Sequence, residues 1–313
     1  MASRIAIVGV GQVGAATAYA LILGSVASEL LLVDVKIELR DAQARDLSDV
    51  ACSIHSSTRV RAGTHREAGQ CDVVVITAGS RDLRGQTSTE HMYRNVSVLR
   101  SVVRGMVPFK SDAVVLVAAD PVDVLTSIAQ DLSGLPKYQV FGLGTFLDTV
   151  RLRNLVAGVA AGIAAESVNL SVVGVHGEPQ VVAWSAATIN GVPIDKFLQL
   201  DHAALEGECK HRTESLSQAK GVTPLGISAA VSSICSSILS DKGDVRTVSH
   251  YQPDLGCCFS MPAVLGRKGL LQIIQVPLDR NEEARLARSA KRLRDLIDRV
   301  EQNQEARRAP HEL

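Results

Sequence analysis

The sequence predicts an α/β protein whose first half forms an open, doubly wound parallel sheet. Apolar runs without alternation occur at residues 5–8, 30–33, 73–76 and 114–117, with a shorter one at 140–141. Such runs are typical of strands buried on both faces. Helical stretches, of which residues 14–23 are the first, separate these runs. This alternation predicts helices on both faces of the sheet and ligands bound beyond the carboxyl ends of its strands.

The pattern changes after about residue 144. Residues 169–173 predict a strand, residues 220–239 a helix, and residues 245–276 several short strands. A last helix is predicted because apolar residues recur every three or four positions. These residues are Leu286, Ala290, Leu293, Ile297 and Val300. We expect this helix to pack on a domain surface or at a subunit contact, and the charged residues 302–313 to fray.

Composition limits the class of protein. The chain has 313 residues, and 33 basic side chains balance 33 acidic ones. A net charge of zero argues against a protein that binds nucleic acid or an anionic membrane. The hydrophobic fraction of 46% is ample for a buried core. Six cysteines in a chain of this length do not form a disulfide framework, and no apolar run is long enough for a membrane span. The cytoplasm is the expected location.

A glycine motif lies at the end of the first predicted strand. Gly9, Gly11 and Gly14 fit G-x-G-x-x-G, and Asp34 ends the next strand twenty residues later. The first glycine permits a tight turn, the second lets the backbone approach a pyrophosphate, and the third allows close helix–strand packing. Asp34 can accept hydrogen bonds from a ribose and would repel a 2′-phosphate. A Rossmann-type site that prefers NAD to NADP is therefore predicted. The alternative is a glycine-rich turn that binds nothing.

Several ordered stretches carry a family resemblance. They include GVGQVG (9–14), ARDLSD (44–49), YRNV (93–96), ADPVDVLT (119–126), LSGLPKYQVFGLGTFLDTVRLR (132–153), VHGE (175–178), KGVT (220–223) and MPAVLGRKG (261–269). Over nearly its whole length the chain resembles the L-lactate/malate dehydrogenase superfamily. The resemblance implies a Rossmann-type NAD-binding domain (1–143) and a mixed α/β substrate domain (144–313), with the active site between them. It also implies NAD, a small carboxylate substrate and a homo-oligomer, either a dimer or a tetramer.

The resemblance also implies roles for individual residues. His176 matches the proton-exchanging histidine, Asp148 the carboxylate that orients and charges it, and Arg151 the arginine that grips the substrate carboxylate. Thr223 matches a residue that lines the substrate pocket, and Arg153 is expected on the surface. No metal is expected. The residues placed against the cofactor are Gly9, Gly11, Gln12, Val13, Gly14, Asp34, Thr77, Ala78, Gly79, Arg81, Ala118 and Asp120.

Three residues depart from the family pattern. Ser88 aligns with the arginine that polarises the substrate carbonyl, and Asp82 with the position that selects the substrate side chain. Asp120 replaces an asparagine that contacts the nicotinamide and the substrate oxygen. A serine cannot supply the charge of a guanidinium. These departures predict an altered substrate specificity.

Three functional hypotheses follow. The first is an NAD-dependent oxidoreductase of a small 2-oxo or 2-hydroxy carboxylate, for which malate is a poor substrate because Asp82 repels a second carboxylate. The second is a reductase of an imine or of a cationic 2-oxo acid, which the added negative charges of Asp82 and Asp120 would suit. The third is a catalytically weak, dehydrogenase-like protein that binds NAD.

Overall fold

The structure is a computed structural model that describes residues 3–80, 87–160, 162–177 and 180–303, and the backbone of residues 304–308. Its first half is a parallel sheet. The strands are β1 (Arg4–Val8), β2 (Glu29–Val33), β3 (Arg59–Ala62), β4 (Val73–Ile76), β5 (Val114–Val117) and β6 (Val140–Gly142). Their order across the sheet is β3-β2-β1-β4-β5-β6. This is the doubly wound order: successive strands are added in one direction from β1 to β3, and from β4 onward they are added on the other side of β1.

Helices cover both faces of this sheet. They are α1 (Gln12–Leu23), α2 (Ile37–Ser53), α3 (His65–Ala68), α4 (Ser88–Met106) and α5 (Val122–Ser133). Except for the edge strand β3, each strand therefore contributes alternate side chains to two apolar layers, one on each face. The strand pairing places the ends of β1, β4 and β5 side by side, so that the segments following them share one edge of the sheet.

The second half extends the same sheet with antiparallel strands. After α6 (Phe146–Val159), the chain forms β7 (Val168–Asn169), β8 (Val172–Gly174), β9 (Gln180–Val182), β10 (Thr188–Ile189) and β11 (Val192–Pro193). The helices α7 (Ile194–Phe197), α8 (His202–Lys220) and α9 (Pro224–Leu239) follow. The last elements are β12 (Asp244–Gln252), β13 (Cys257–Gly266), β14 (Gly269–Ile273) and α10 (Arg280–Arg308).

One continuous sheet contains strands from both halves of the chain. Ser249 of β12 pairs with Gly142 of β6, and β13 pairs in turn with β8. A separate sheet of three short strands, β11-β10-β7, covers a third apolar core. Trp184 and Leu152 lie in that core. The residues that follow β8 lie near those that follow β5, because the backbone N–H of His176 donates a hydrogen bond to Asp123 in the first turn of α5.

Most of the predicted elements are present. The strands at 73–76 and 114–117 have the predicted bounds, and three strands lie within the region predicted for them near residues 245–276. Helix α1 begins at Gln12, two residues before the prediction. The predicted fraying of residues 302–313 is wrong as far as Arg308, because α10 continues to that residue; residues 309–313 lie outside the described part of the chain.

Two predicted elements need correction, and one strand is missing from the prediction. The missing strand is the edge strand β3. Two of its four residues are arginines that alternate with apolar residues, and none of the four is fully buried. The strand predicted at 169–173 is divided between two sheets, β7 pairing with β10 and β8 with β9. The helix predicted from residue 220 begins at Pro224. The preceding helix ends at Lys220 because Gly221 adopts a φ of +73°, and proline favours the first turn of a new helix.

No single helix among the described residues has the length and apolar character needed to cross a bilayer. The pair α8 and α9 meets those two criteria only when taken together, and the two helices are bent by 116° relative to each other.

Candidate active site

The glycine motif forms a tight turn between β1 and α1. Gly9 has a φ of +97°, and a Cβ atom there would lie 2.5 Å from the backbone of Ala78. A Cβ atom on Gly14 would overlap the carbonyl oxygen of Gly9. By contrast, nothing lies within 4 Å of the position of a Cβ atom on Gly11. Two of the glycines therefore permit close packing, and the third leaves the surface above the turn open for a ligand.

Two polar side chains hold this turn. Thr77, directly after β4, donates its hydroxyl hydrogen to the carbonyl oxygen of Gly9 over 2.6 Å. Asp34, directly after β2, accepts hydrogen bonds from the backbone N–H groups of Val10 and Lys36, each over 2.9 Å. The negative charge of Asp34 is thus fixed beside the turn, where it can meet a ribose.

The remaining predicted cofactor residues lie along the same edge of the sheet. Gln12 and Val13 open α1, whose first N–H groups have no acceptor within the helix. Such an N-terminus favours a phosphate group. Ala78 and Gly79 follow β4, and Ala118 follows β5. The open space at Gly11, the unpaired amides of α1 and the carboxylate of Asp34 together fit a dinucleotide such as NAD. Arg81 lies outside the described residues.

A histidine, a carboxylate and an arginine meet at one point of the second half. His176 lies two residues beyond β8, and its ring Nδ1 is 2.7 Å from Oδ2 of Asp148, in the first turn of α6. Arg151, one helical turn further along α6, places Nη1 at 3.5 Å from the other oxygen, Oδ1. Because a carboxylate accepts this hydrogen bond, Nδ1 carries the hydrogen, and Nε2 is the nitrogen that can exchange a proton.

The charges of this cluster favour a protonated imidazole. Burial lowers the pKa of His176, but the hydrogen bond and charge of Asp148, together with the charges of Asp120 and Asp123, outweigh it and raise that pKa to about 9. Burial raises the pKa of Asp148, yet the hydrogen bond and charge of His176 and the charge of Arg151 bring it below the usual range. The pair is therefore an imidazolium–carboxylate pair at neutral pH, ready to give a proton.

Arg151 is held from two sides. Its side chain is 12% exposed, and Nη1 also donates to the hydroxyl of Thr213 on α8 over 3.0 Å. Among the described residues, no hydrogen bond uses Nε or Nη2 of this guanidinium. These two nitrogens remain for an anionic ligand, and a guanidinium edge binds a carboxylate through two parallel hydrogen bonds.

The structure places the other predicted substrate residues separately. Asp120 follows β5, and its exposed side chain acts electrostatically on His176. Ser88 is the exposed first residue of α4, and no hydrogen bond among the described residues joins it to the His176 cluster. Thr223 is half-buried directly before α9. Asp82 lies outside the described residues.

Sequence reasoning missed three residues and misplaced one. Asp123 accepts a hydrogen bond from the backbone N–H of His176. Asn95 joins the chain after β4 to the chain after β5, because it accepts from the N–H of Ser80 and donates to the carbonyl of Asp120, each over 2.7 Å. Both lie inside motifs that carry the resemblance, which was a usable signal.

Thr213 had no such signal, because it reaches Arg151 from 62 residues away. Arg153, expected on the surface, is instead half-buried. Its Nε donates to the carbonyl of Leu170 over 2.8 Å, and burial lowers its pKa. Arg153 therefore ties α6 to the segment between β7 and β8.

Two family models match this chain. A family model described as lactate/malate dehydrogenase, NAD binding domain, matches residues 3–142. A second, described as lactate/malate dehydrogenase, alpha/beta C-terminal domain, matches residues 145–304. The chain belongs to the lactate/malate dehydrogenase family. It is an enzyme, an NAD-dependent oxidoreductase, and NAD is its cofactor.

Two L-lactate dehydrogenases align with nearly the whole chain. The L-lactate dehydrogenase A of Rhizopus oryzae is 43% identical over 297 residues, which are 94% of this chain and 92% of the relative. The L-lactate dehydrogenase of Allorhizobium ampelinum is 38% identical over 305 residues, covering 94% and 98% of the two chains.

Solved structures give the same result. A lactate dehydrogenase from a Medee basin deep-sea metagenome superposes with a TM-score of 0.90 at 28% identity, covering 96% of this chain and all of the other. The minor L-lactate dehydrogenase of Enterococcus mundtii superposes with a TM-score of 0.88 at 31% identity, covering 96% and 98%.

Proposed function

We propose that this dehydrogenase catalyses the interconversion of a small 2-oxo carboxylate and its 2-hydroxy acid. The observation that carries the proposal is the sharing of one buried carboxylate, that of Asp148, by His176 and Arg151. Such a cluster unites a proton donor with a group that binds carboxylates. The relatives named L-lactate dehydrogenase support this substrate class.

The residues divide the chemistry among them. NAD, when bound, supplies or accepts the hydride. In the reducing direction His176 gives the proton that the substrate oxygen gains, and in the oxidising direction it takes that proton back. Asp148 keeps the imidazole oriented and charged, and Arg151 binds the carboxylate of the substrate. We further propose residues 1–143 as the cofactor domain and 144–313 as the substrate domain, with this site between them.

We also propose that the specificity differs from that of the named relatives. Ser88 stands where the resemblance places a polarising arginine. Loss of a preorganised group that stabilises a developing oxyanion lowers the rate by a factor on the order of 10² to 10³. Asp120 adds a negative charge that acts on His176. We accordingly expect slow turnover of pyruvate by the native chain.

A screen of NADH oxidation over varied 2-oxo acids tests both proposals. It compares the native chain with Ser88→Arg, and with Ser101→Arg, which adds the same charge to an exposed position of the same helix. A gain of about tenfold or more on pyruvate in Ser88→Arg alone supports the assignment of Ser88. No gain undermines it, and no oxidation of NADH by any 2-oxo acid refutes the proposed reaction.

A second candidate substrate is an imine or a cationic 2-oxo acid. The charge of Asp120 beside His176 favours it, since an iminium carries its own positive charge and needs no arginine to polarise it. The same screen with added amines decides, because this candidate requires amine-dependent oxidation of NADH. The comparisons lend no support to a catalytically weak protein that only binds NAD, and NADH binding without hydride transfer to any acceptor would be needed to revive that alternative.

We propose that the enzyme works in the cytoplasm and that it is, as the family resemblance implies, a homo-oligomer, either a dimer or a tetramer. Light scattering of the purified chain measures its oligomeric state, and imaging of a tagged chain in cells measures its location. A monomer, or a signal confined to another compartment, would contradict these proposals.

A further inference from the structure

We infer that Asp123 is a positioning residue for His176: it fixes the main chain of the histidine and favours the charged form of its ring. This inference rests on the proposed function, because it concerns the proton that His176 exchanges. Asp148 meets the side chain of His176, whereas Asp123 meets its backbone. Two carboxylates from different helices would then together determine the position and the protonation of one imidazole.

The first observation is a buried bond between distant parts of the chain. Asp123 is the second residue of α5, and its side chain is almost completely buried. Its Oδ2 accepts a hydrogen bond from the backbone N–H of His176 over 2.7 Å, across 53 residues of sequence. Helix α5 follows β5, whereas His176 follows β8. The bond therefore fixes the position of the loop that carries His176 relative to helix α5.

The second observation is an oxygen left without a partner. Among the described residues, Oδ1 of Asp123 makes no hydrogen bond of good geometry, and neither does the buried hydroxyl of Ser249. A carboxylate in this state is costly to bury. An acidic residue in the first turn of a helix is common, because the helix dipole favours it. That explanation accounts neither for the burial nor for the bond to another element.

The charge of His176 offsets part of the cost of burying Asp123. Burial raises its pKa to about 6, and Asp120 acts in the same direction, while Ser249, the His176 amide and the charge of His176 lower it. The charge of Asp123 also acts on the buried thiols of Cys257 and Cys258 on β13 and raises the pKa of each. The positive charge of His176 thus favours the ionised form of the buried Asp123.

The effect is reciprocal, and its sign follows from linkage. His176 feels three carboxylates, those of Asp148, Asp120 and Asp123, and each raises its pKa. When Asp123 is ionised, His176 therefore holds its proton more tightly; when Asp123 is protonated or neutralised, His176 releases its proton at a lower pH.

The test is the titration of His176, followed by NMR of the full chain labelled with ¹³C-histidine. Asp123→Asn keeps an oxygen that can accept from the backbone N–H but removes the charge. Asp131→Asn changes an exposed aspartate at the other end of the same helix and serves as the control. We expect Asp123→Asn to weaken the proton affinity of His176 by about threefold or more, while Asp131→Asn leaves it unchanged. An unchanged titration in Asp123→Asn overturns the inference.

A second measurement needs no variant at position 123. In the native chain, protonation of Asp123 near pH 6 must appear as a separate step in the ring signals of His176. If the step is absent from the native chain, the inference fails even where Asp123→Asn does not fold.

Activity separates this inference from the proposed function. Reduction of a 2-oxo acid needs protonated His176, so its rate falls as the pH rises through the pKa of His176. Asp123→Asn should move this alkaline limb to lower pH, whereas a purely structural role would lower the rate equally at every pH. A native chain without any 2-oxo acid reduction refutes the proposed function and leaves the titration result standing. An active native chain whose His176 titration ignores Asp123→Asn refutes the inference alone.

Discussion

Neutralising the carboxylate that His176 contacts should produce a loss of activity that depends on pH. Asp148→Asn removes the largest positive influence on the pKa of His176, namely the 2.7 Å hydrogen bond and the charge behind it. Burial of the ring remains and acts in the opposite direction. We therefore expect the pKa of His176 to fall from about 9 toward its ordinary value of 6.5.

The size of the effect follows from these two values. At a pKa of about 9, roughly 97% of His176 is protonated at pH 7.5; at 6.5, about 9% is. The variant should thus lose about tenfold in the rate of 2-oxo acid reduction at pH 7.5, but less than about twofold at pH 6. Loss of ring orientation adds a further factor that is the same at both pH values. The deficit should accordingly grow about eightfold between pH 6 and pH 7.5.

The assay is the pH profile of kcat/KM for NADH-dependent reduction of the best 2-oxo acid found in the screen. Asp195→Asn is a matched control, because Asp195 also accepts from a histidine ring, that of His202, over 2.9 Å, but is exposed and outside the site. The control should show the native profile. A deficit of equal size at every pH in Asp148→Asn would show that the carboxylate does not act through the protonation of His176.

Three further predictions concern substrate and cofactor binding. Arg151→Lys should raise the KM for a 2-oxo acid by about tenfold or more, because an ammonium cannot form paired hydrogen bonds to a carboxylate, while the exposed Arg212→Lys should leave the KM unchanged. Gly14→Ala should lower the melting temperature, because the added methyl group overlaps the backbone of the turn; Gly11→Ala should leave stability nearly unaltered and weaken NADH binding in a fluorescence titration. A stable Gly14→Ala, or a Gly11→Ala that binds NADH like the native chain, would contradict this division of roles. Asp34→Ser should reduce the preference for NADH over NADPH in initial-rate assays, and an unchanged ratio would show that Asp34 does not face the ribose.

The central strands were predicted best, because an unbroken run of apolar residues is enough to indicate a strand buried on both faces. The strands at 73–76 and 114–117 are buried on both faces, so every residue is apolar. The edge strand β3 lacks that signal, since it faces solvent and carries two arginines. The divided strand near residue 170 could not be predicted from a continuous apolar pattern, because its two pieces pair with different partners.

The candidate site shows the same contrast. The spacing of Gly9 and Gly14 is a local feature, and a Cβ atom on Gly14 would overlap the carbonyl oxygen of Gly9 itself; the close approach of Ala78 to Gly9, by contrast, comes from a segment far along the chain. The chemistry of the turn was therefore predictable from spacing. The roles of His176 and Asp148 came from the resemblance to a family, because 28 residues separate them and no periodicity links the two positions.

By itself, the sequence determined the doubly wound parallel sheet, the glycine turn and the residue types that suit NAD, because these depend on short-range patterns of burial and backbone freedom. Tertiary structure alone decided which charges surround His176 and what holds Arg151. The partners Asp123 and Thr213 reach these residues across 53 and 62 positions of the chain. Contacts over such separations arise only when sheet pairing and helix packing bring the two ends together, and a low-dielectric interior then turns them into shifts of proton affinity.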